Sequence, residues 1–192
     1  MYPIVSTILA ILAILAVILG VGLGLALALP SARDRVAGAL LGQERHPIGW
    51  ACAVALIAMG GSLYFSDVVH LVPCTLCWYQ RIAMYPLVLV FGAGAMRDDP
   101  GVWRYSLPLS VVGLVISIYH VTIELRPALD VGMCTSGVPC SLRYFAVFGF
   151  VSIATMAGAA FLLIVALSLL IRTLERSTSR PRWPDSSCNG PP

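Results

Sequence analysis

Four of the six cysteines form two closely spaced pairs. The first pair is Cys74 and Cys77, separated by Thr-Leu at the start of an apolar stretch, and the second is Cys134 and Cys140, with five residues between them. Two apolar stretches lie between the pairs. If both stretches cross a membrane, the pairs lie on the same side of it. Two dithiols on one side can pass electrons from one to the other by thiol–disulfide exchange.

The Cys74–Cys77 pair has two other interpretations. A structural zinc site needs four ligands, and near this face the sequence adds only His70 and His120. We therefore expect no metal site. A structural disulfide is also possible, but so short a ring removes little chain entropy and stabilises weakly. Redox activity is the favoured interpretation.

The Cys134–Cys140 pair lies in a segment that also contains Gly132, Gly137 and Pro139. Such a loop can remain accessible to another protein. Its disulfide would contribute only about 2 kcal/mol on the chain-entropy model. Exchange is thus favoured over a purely structural loop disulfide, which remains the alternative.

An arginine lies close to the first pair. Pro73 precedes the pair, and we expect a helix to begin near Cys77, where the unpaired N–H groups lower the pKa of a thiol. Arg81 follows one turn later. It either extends to the membrane surface or stabilises a Cys77 thiolate or an anionic cofactor oxygen.

The composition is that of a membrane protein. Of 192 residues, 59% are hydrophobic and 11% are charged, whereas soluble domains carry about 25% charge. Five apolar segments are long enough to cross a bilayer as α-helices. The predicted fold is an all-α membrane protein with spans at Pro3–Leu29, Ile48–Ser66, Cys77–Met96, Tyr105–Ile123 and Tyr144–Ile171.

The arginines predict the orientation. They cluster in residues 31–47, in residues 97–104 and after residue 171, three segments that share one side if the chain crosses five times. The positive-inside rule makes that side the cytoplasm. Both cysteine pairs and the N-terminus then face outward, where disulfides persist. The arginines do not form a basic stripe with aromatic residues between them, so a nucleic-acid partner is not expected.

The predicted organisation has four parts. Residues 1–30 form an extra transmembrane helix, residues 31–47 a cytoplasmic loop, residues 48–171 a four-helix domain and residues 172–192 a disordered tail. Ala26-Leu27-Ala28 resembles a signal-peptidase site. However, the apolar segment is long and its start carries no positive charge, so we expect it to remain uncleaved. A GxxxG from Gly20 to Gly24 permits close helix packing.

One longer motif carries a resemblance to a known family. Pro73-Cys74-Thr75-Leu76-Cys77-Trp78-Tyr79-Gln80-Arg81 resembles the P-C-x-L-C-x-x-Q-R motif of the DsbB family of disulfide bond formation proteins. Tyr119-His120 and the second cysteine pair also resemble that family, over about Ile48 to Leu170. The resemblance implies a bacterial inner-membrane enzyme that reoxidises a secreted, DsbA-like thioredoxin-fold thiol oxidase and passes electrons to menaquinone or ubiquinone.

The resemblance also implies residue roles. Cys134 would be attacked by the partner, Cys140 would attack Cys74, and Cys77 would contact the quinone. Three further residues would contribute to the quinone site: Arg81, His120 and Glu124.

Three features depart from the best-known members. Glu124 stands where the family often has glutamine, the spacing from Cys134 to Cys140 resembles Gram-positive members, and the N-terminal helix is additional. Cys52 and Cys188 are expected to be bystanders. Two alternatives remain: a vitamin-K-epoxide-reductase-like enzyme, whose C-x-x-C lies late in the chain, and a membrane scaffold or transporter with structural disulfides.

Overall fold

The computed structural model describes residues 2–40, 45–130, 132, 134 and 137–178. Within those residues the structure is helical, and five of its helices are long and apolar enough to cross a membrane. The predicted all-α class with five candidate spans is therefore confirmed. The helices are α1 (Tyr2–Ala28), α2 (Pro30–Leu40), α3 (Arg45–Leu63), α4 (Thr75–Arg97), α5 (Trp103–Leu125) and α6 (Ile153–Thr178).

Helix α6 is the centre of the bundle. It packs against α1, α3 and α5, and it has the largest buried share of the five long helices. Its approach to α5 depends on Gly113, because a Cβ atom there would overlap the ring of Phe161. In lipid the hydrophobic effect does not drive helices together, so association depends on close packing, which small residues allow.

The bundle end opposite the cysteines is tied together by charged and aromatic side chains. The indole N–H of Trp103 donates to Glu175, and Arg104 Nη2 lies 3.2 Å from Glu175 Oε1. The guanidinium of Arg172 lies over the Trp103 ring, 4.9 Å from its centroid. These contacts hold the start of α5 against the last turns of α6. We call this the arginine end, and the end where α4 begins the cysteine end.

Helix α1 docks along α6 through one glycine. A Cβ atom at Gly20 would lie 3.2 Å from the backbone of Leu163, whereas one at Gly24 would meet nothing within 4 Å. Close packing of the predicted GxxxG therefore involves Gly20 and not Gly24. Nearer the cysteine end, Leu9 of α1 reaches Gly61 of α3, where an added Cβ would lie 3.1 Å from a Leu9 methyl carbon.

Two predicted helix starts differ from the structure. Helix α4 begins at Thr75 and not near Cys77, because Cys74 caps it. The last span begins at Ile153 and not at Tyr144, because the chain first makes a tight turn in which Val147 pairs with Val151. The start of α6 is then capped by Ser152 and Thr155, whose hydroxyls each accept a hydrogen bond from the other's backbone N–H.

Two segments that contribute to the arginine-rich side contain more helix than the sequence predicted. Helix α6 continues to Thr178, so the prediction that disorder begins at residue 172 is wrong for residues 172–178. The polar turns of α6 are stabilised by the Glu175 contacts. Residues 31–47, predicted as a loop, include most of α2 and the start of α3. Residues 179–192, and with them Cys188, lie outside the described residues.

Candidate active site

The first cysteine pair is organised by the start of α4. Cys74 is the N-cap residue, with extended backbone angles, and its sulfur accepts a hydrogen bond from the Cys77 N–H at 3.3 Å. The two sulfur atoms lie 2.7 Å apart, and both cysteines are free. Cys74 is buried and Cys77 is partly exposed. The two thiols are thus held side by side at the helix terminus.

The helix terminus acts on a different thiol from the one expected. Because the cap is Cys74, the Cys77 N–H in the first turn donates to the Cys74 sulfur. A hydrogen bond with the Cys77 side chain lowers the pKa of the Cys74 thiol well below its ordinary value, and His120 Nε2, 3.7 Å from the sulfur, lowers it further. Burial of Cys74 opposes both effects.

The second pair is a disulfide, and it lies against the first. Cys134 and Cys140 are bonded, with Cα atoms 5.8 Å apart. Cys140 is 1% exposed and belongs to the same apolar cluster as Cys74, Leu76 and Ile123, while Cys134 packs at the edge of that cluster and is partly exposed. The chain therefore brings all four cysteines into one site, with Cys134 as the more accessible half of its disulfide.

A small polar pocket adjoins both members of the first pair. Its volume is about 20 Å³, enough for one water, and its lining includes Cys74, Cys77, His120 and Glu124. The Glu124 side chain is 4% exposed. One of its carboxylate oxygens accepts a hydrogen bond from the Ser152 hydroxyl at 2.6 Å.

The buried Glu124 carboxylate is compensated. The same oxygen that Ser152 contacts lies 3.5 Å from Arg143 Nε. A carboxylate removed from water requires such partners to remain charged. The loop that carries Arg143 is therefore tied electrostatically to the end of α5.

These residues do not form a complete structural zinc site. Ligand atoms of Cys74, Cys77 and His120 lie within 4.8 Å of one another, but a closed zinc site uses four ligands. Within the described part of the chain, this is the one cluster of its kind. The arrangement fits thiol chemistry better, since the two sulfurs adjoin a disulfide.

A large apolar cavity lies on the other side of the first pair. It measures about 370 Å³ and is lined by α1, α3, α4, α6 and the loops at the cysteine end. Cys77, Gln80 and Arg81 line it from α4, and Tyr144 lines it from the loop before α6. Cys77 and Tyr144 also line the small pocket. The first pair therefore separates an apolar cavity from a polar pocket.

Arg81 is held in position by α3. Its Nε donates to the Ser62 hydroxyl at 2.9 Å and its Nη2 to the Ser62 carbonyl at 3.1 Å, and its guanidinium lies 5.2 Å from the centre of the Trp78 ring. A guanidinium has five N–H donors, so these bonds leave others for a ligand in the cavity. Arg81 is partly exposed and lines that cavity.

The three residues predicted to bind a cofactor are divided between the two spaces. Arg81 lines the large cavity, whereas His120 and Glu124 line the small pocket and are absent from the described lining of the large one. Cys52 is part of the packing around the main core and is distant in sequence from both pairs. Its expected bystander role stays a prediction.

Sequence reasoning missed several residues that shape the site. Ser62 orients Arg81, and the buried Gln80 donates to Ser117 at 2.9 Å across α4 and α5. The Tyr144 hydroxyl donates to the Val72 carbonyl at 2.6 Å and so joins two loops beside the first pair. Gln80 could have been found because it is in the quoted motif. Ser62 and Tyr144 have no local sequence signal, since their roles arise from contacts between distant segments.

Comparison with known proteins places these features in a family. The model for "Disulfide bond formation protein DsbB" matches residues 44–171, which include all of α3, α4 and α5 and most of α6 but neither α1 nor α2. Disulfide bond formation protein C of Bacillus subtilis is 48% identical over 120 residues, 62% of this chain and 87% of the relative. Probable disulfide formation protein C 2 of Bacillus cereus is 44% identical over 124 residues, 65% of this chain and 89% of the relative. No solved structure matches.

The lowered pKa of Cys74 predicts an unusual pH dependence of its reactivity. A group with a lowered pKa keeps its thiolate as the pH falls, until the pH passes that lowered value. We expect the rate of Cys74 alkylation by iodoacetamide in the reduced protein to change less than about twofold between about pH 8 and about pH 6. An ordinary thiol with a pKa near 8.5 would slow roughly 75-fold. Mass spectrometry of the Cys74 peptide measures the rate.

Variants separate the causes of this effect. Cys77→Ala removes the strongest influence that lowers the pKa of Cys74 and should restore a steep pH dependence. Cys52→Ala serves as the control and should leave the profile flat. A Cys74 rate that falls in the wild-type protein as steeply as that of an ordinary thiol would refute the assignment.

Proposed function

The chain belongs to the DsbB family of disulfide bond formation proteins, and from that premise we propose that it is a quinone-dependent membrane oxidoreductase that reoxidises a thioredoxin-like thiol oxidase. The observation that carries the proposal is the packing of the Cys134–Cys140 disulfide in one apolar cluster with Cys74. The two cysteine pairs therefore lie close enough for direct thiol–disulfide exchange.

The exposure of the cysteines supports an order of attack. A thiolate of the partner attacks the accessible sulfur of Cys134, a mixed disulfide forms, and Cys140 leaves as a thiolate. Cys140 is buried in the cluster that contains Cys74. It therefore attacks Cys74 of the oxidised first pair and displaces Cys77. The partner's second thiol then attacks the mixed disulfide, so that the partner leaves oxidised and Cys134 is freed.

The final exchange restores the loop disulfide. Cys134 attacks Cys140, and Cys74 leaves as a thiolate. A thiol with a low pKa is a good leaving group, and the lowered pKa of Cys74 favours this direction. The net result is the transfer of two electrons and two protons from the partner's dithiol to the Cys74–Cys77 pair.

The large cavity fits a membrane quinone. Its lining is mostly apolar, with polar groups near Cys77, and one of them is the charged Arg81. A bound quinone would accept two electrons and two protons from the first pair and so restore its disulfide. Arg81 would donate a hydrogen bond to a quinone oxygen, and Ser62 would fix the direction of that donor. The ligand would be menaquinone or ubiquinone.

His120 and Glu124 would handle protons on the polar side of the first pair. His120 Nε2 contacts the Cys74 sulfur, and no described residue bonds to its buried Nδ1. Glu124 lines the same water-sized pocket. We assign both residues to the thiol steps and only Arg81 to direct contact with quinone, a narrower role than the family resemblance implied.

The family and the charges support a partner class and an orientation. Bacterial periplasmic oxidation runs through a DsbA–DsbB–quinone relay, so the partner would be a DsbA-like thioredoxin-fold oxidase outside the cytoplasm. The arginine end would face the cytoplasm and the cysteine end the outside. The family match favours this function over a vitamin-K-epoxide-reductase-like enzyme or a scaffold with structural disulfides.

Trapping the mixed disulfide tests the order of attack and the orientation together. Cys140→Ala leaves Cys134 as a free thiol, whose thiolate can attack the disulfide of the oxidised partner. The mixed disulfide then has no Cys140 to displace the partner from Cys134, so intact cells should accumulate a larger species that reductant abolishes on a gel. Its second component should be an exported thioredoxin-fold protein. Cys52→Ala, the control, should trap nothing. If Cys134→Ala traps the species instead, the order is reversed, and a cytoplasmic partner would reverse the orientation.

Substitution of Arg81 tests the assignment of the large cavity to quinone. Arg81→Met removes a charged hydrogen bond worth roughly 1.5–3 kcal/mol, so kcat/KM for quinone should fall about ten- to hundredfold. Exchange between the partner and the loop pair should change little in single-turnover measurements. Arg81→Lys should recover part of the loss, since it keeps the charge without the planar fork. Arg97→Met, at the arginine end, is the control. Unchanged quinone kinetics in Arg81→Met would remove Arg81 from the site.

A further inference from the structure

The additional helix α1 forms part of the wall of the large cavity. Six of its residues line that cavity: Leu9, Leu12, Ala13, Leu15, Ala16 and Leu19. All six are apolar, and together they cover about 15 Å of helix axis at 1.5 Å per residue. Since the family model begins at residue 44, this wall is an addition to the family's four-helix core.

Two contacts with glycines fix the position of α1. The close approach of Gly20 to α6 holds the C-terminal half of α1. The packing of Leu9 on Gly61 of α3 holds the N-terminal half of α1. Small, buried residues of α1 face the bundle, among them Ala13 and Ala16, each 9% exposed. The helix is therefore docked as part of the bundle, so its cavity face is a defined surface.

The polar and apolar linings of the cavity are segregated. Ser62, Gln80 and Arg81 lie toward the cysteine end with Cys77, and Tyr85 lines the cavity one turn further along α4. Helix α1 and the half of α3 that includes Trp50 and Ala53 add apolar surface. Leu12 and Leu15 line the cavity and are nevertheless 41% and 48% exposed. The cavity therefore opens along α1 toward the surrounding lipid.

We propose that α1 binds the isoprenoid tail of the quinone whose ring lies near Cys77 and Arg81. If the ring binds at the polar end, the long apolar tail must lie elsewhere in the cavity. The apolar channel along α1 can bury this tail, from the cysteine end toward the bilayer interior. The helix is then a determinant of affinity for tailed quinones and not for the quinone ring. This inference rests on the proposed function, because it assigns the tail of that ligand.

Direct binding of two quinones that share a ring tests this proposal. Menadione has the naphthoquinone ring without a tail, and menaquinone adds the isoprenoid tail. Binding to the purified full-length protein is measured by quenching of tryptophan fluorescence, to which Trp50 in the cavity wall contributes. The double variant Ala13→Phe, Ala16→Phe fills the channel and should weaken menaquinone binding about tenfold or more, with less than about twofold effect on menadione.

Further variants guard against misfolding. Leu12→Ala with Leu15→Ala enlarges the channel at exposed positions that contribute little to packing, and should also weaken menaquinone binding selectively. Ala28→Phe places the same new ring on an exposed part of α1, and Ile18→Phe does so on its lipid face. Both controls should bind both quinones normally.

Each alternative outcome is distinct. Unchanged menaquinone binding in both cavity variants, or an equal loss of menadione and menaquinone binding, would overturn the role of α1 while leaving the proposed function intact. Failure of the wild-type protein to bind menadione, menaquinone and ubiquinone, the last measured in the same way, would refute the proposed function, and the assignment of α1 with it.

Discussion

The structure depends on the burial of the Cys134–Cys140 disulfide against Cys74 at the start of α4. Cys74 caps the helix and is thereby fixed, and Leu76 and Ile123 complete an apolar cluster around it. The loop after α5 is joined to this cluster by Cys140 and by the Arg143–Glu124 ion pair. A short loop can thus place its disulfide beside the first pair without a large movement, because apolar packing and one compensated charge already hold it there.

The same helix start separates two environments that thiol oxidation needs. Proton transfer requires polar groups, and His120 and Glu124 line a pocket large enough for one water. A lipid-soluble electron acceptor requires apolar surface, which the large cavity provides. Cys77 lines both spaces, so one residue of the first pair adjoins both the apolar cavity and the pocket that contains His120 and Glu124. The family core supplies this division, and α1 extends its apolar half.

Much of this arrangement could be predicted from the sequence. Long apolar segments require helices in lipid, and the motif from Pro73 to Arg81 identifies the first pair and its family. The predicted start of α4 differs from the structure because cysteine is an unusual N-cap residue. Its capping role depends on the hydrogen bond that its sulfur accepts from the Cys77 N–H. Arg81 lines a different space from His120 and Glu124. This could not be predicted, since it depends on how α4, α5 and the loop before α6 pack. The contribution of α1 to the cavity has no sequence motif.

The most direct test of the account is reconstitution of the complete electron path. The purified protein would be mixed with a reduced thioredoxin-fold oxidase and a membrane quinone, and the partner's thiols and the quinone's absorbance would be followed together. The account predicts that one quinone is reduced for each partner disulfide formed, and that replacement of either cysteine pair by alanine abolishes the coupling. Partner oxidation that proceeds equally well without quinone, or quinone reduction that persists without the Cys134–Cys140 pair, would contradict it.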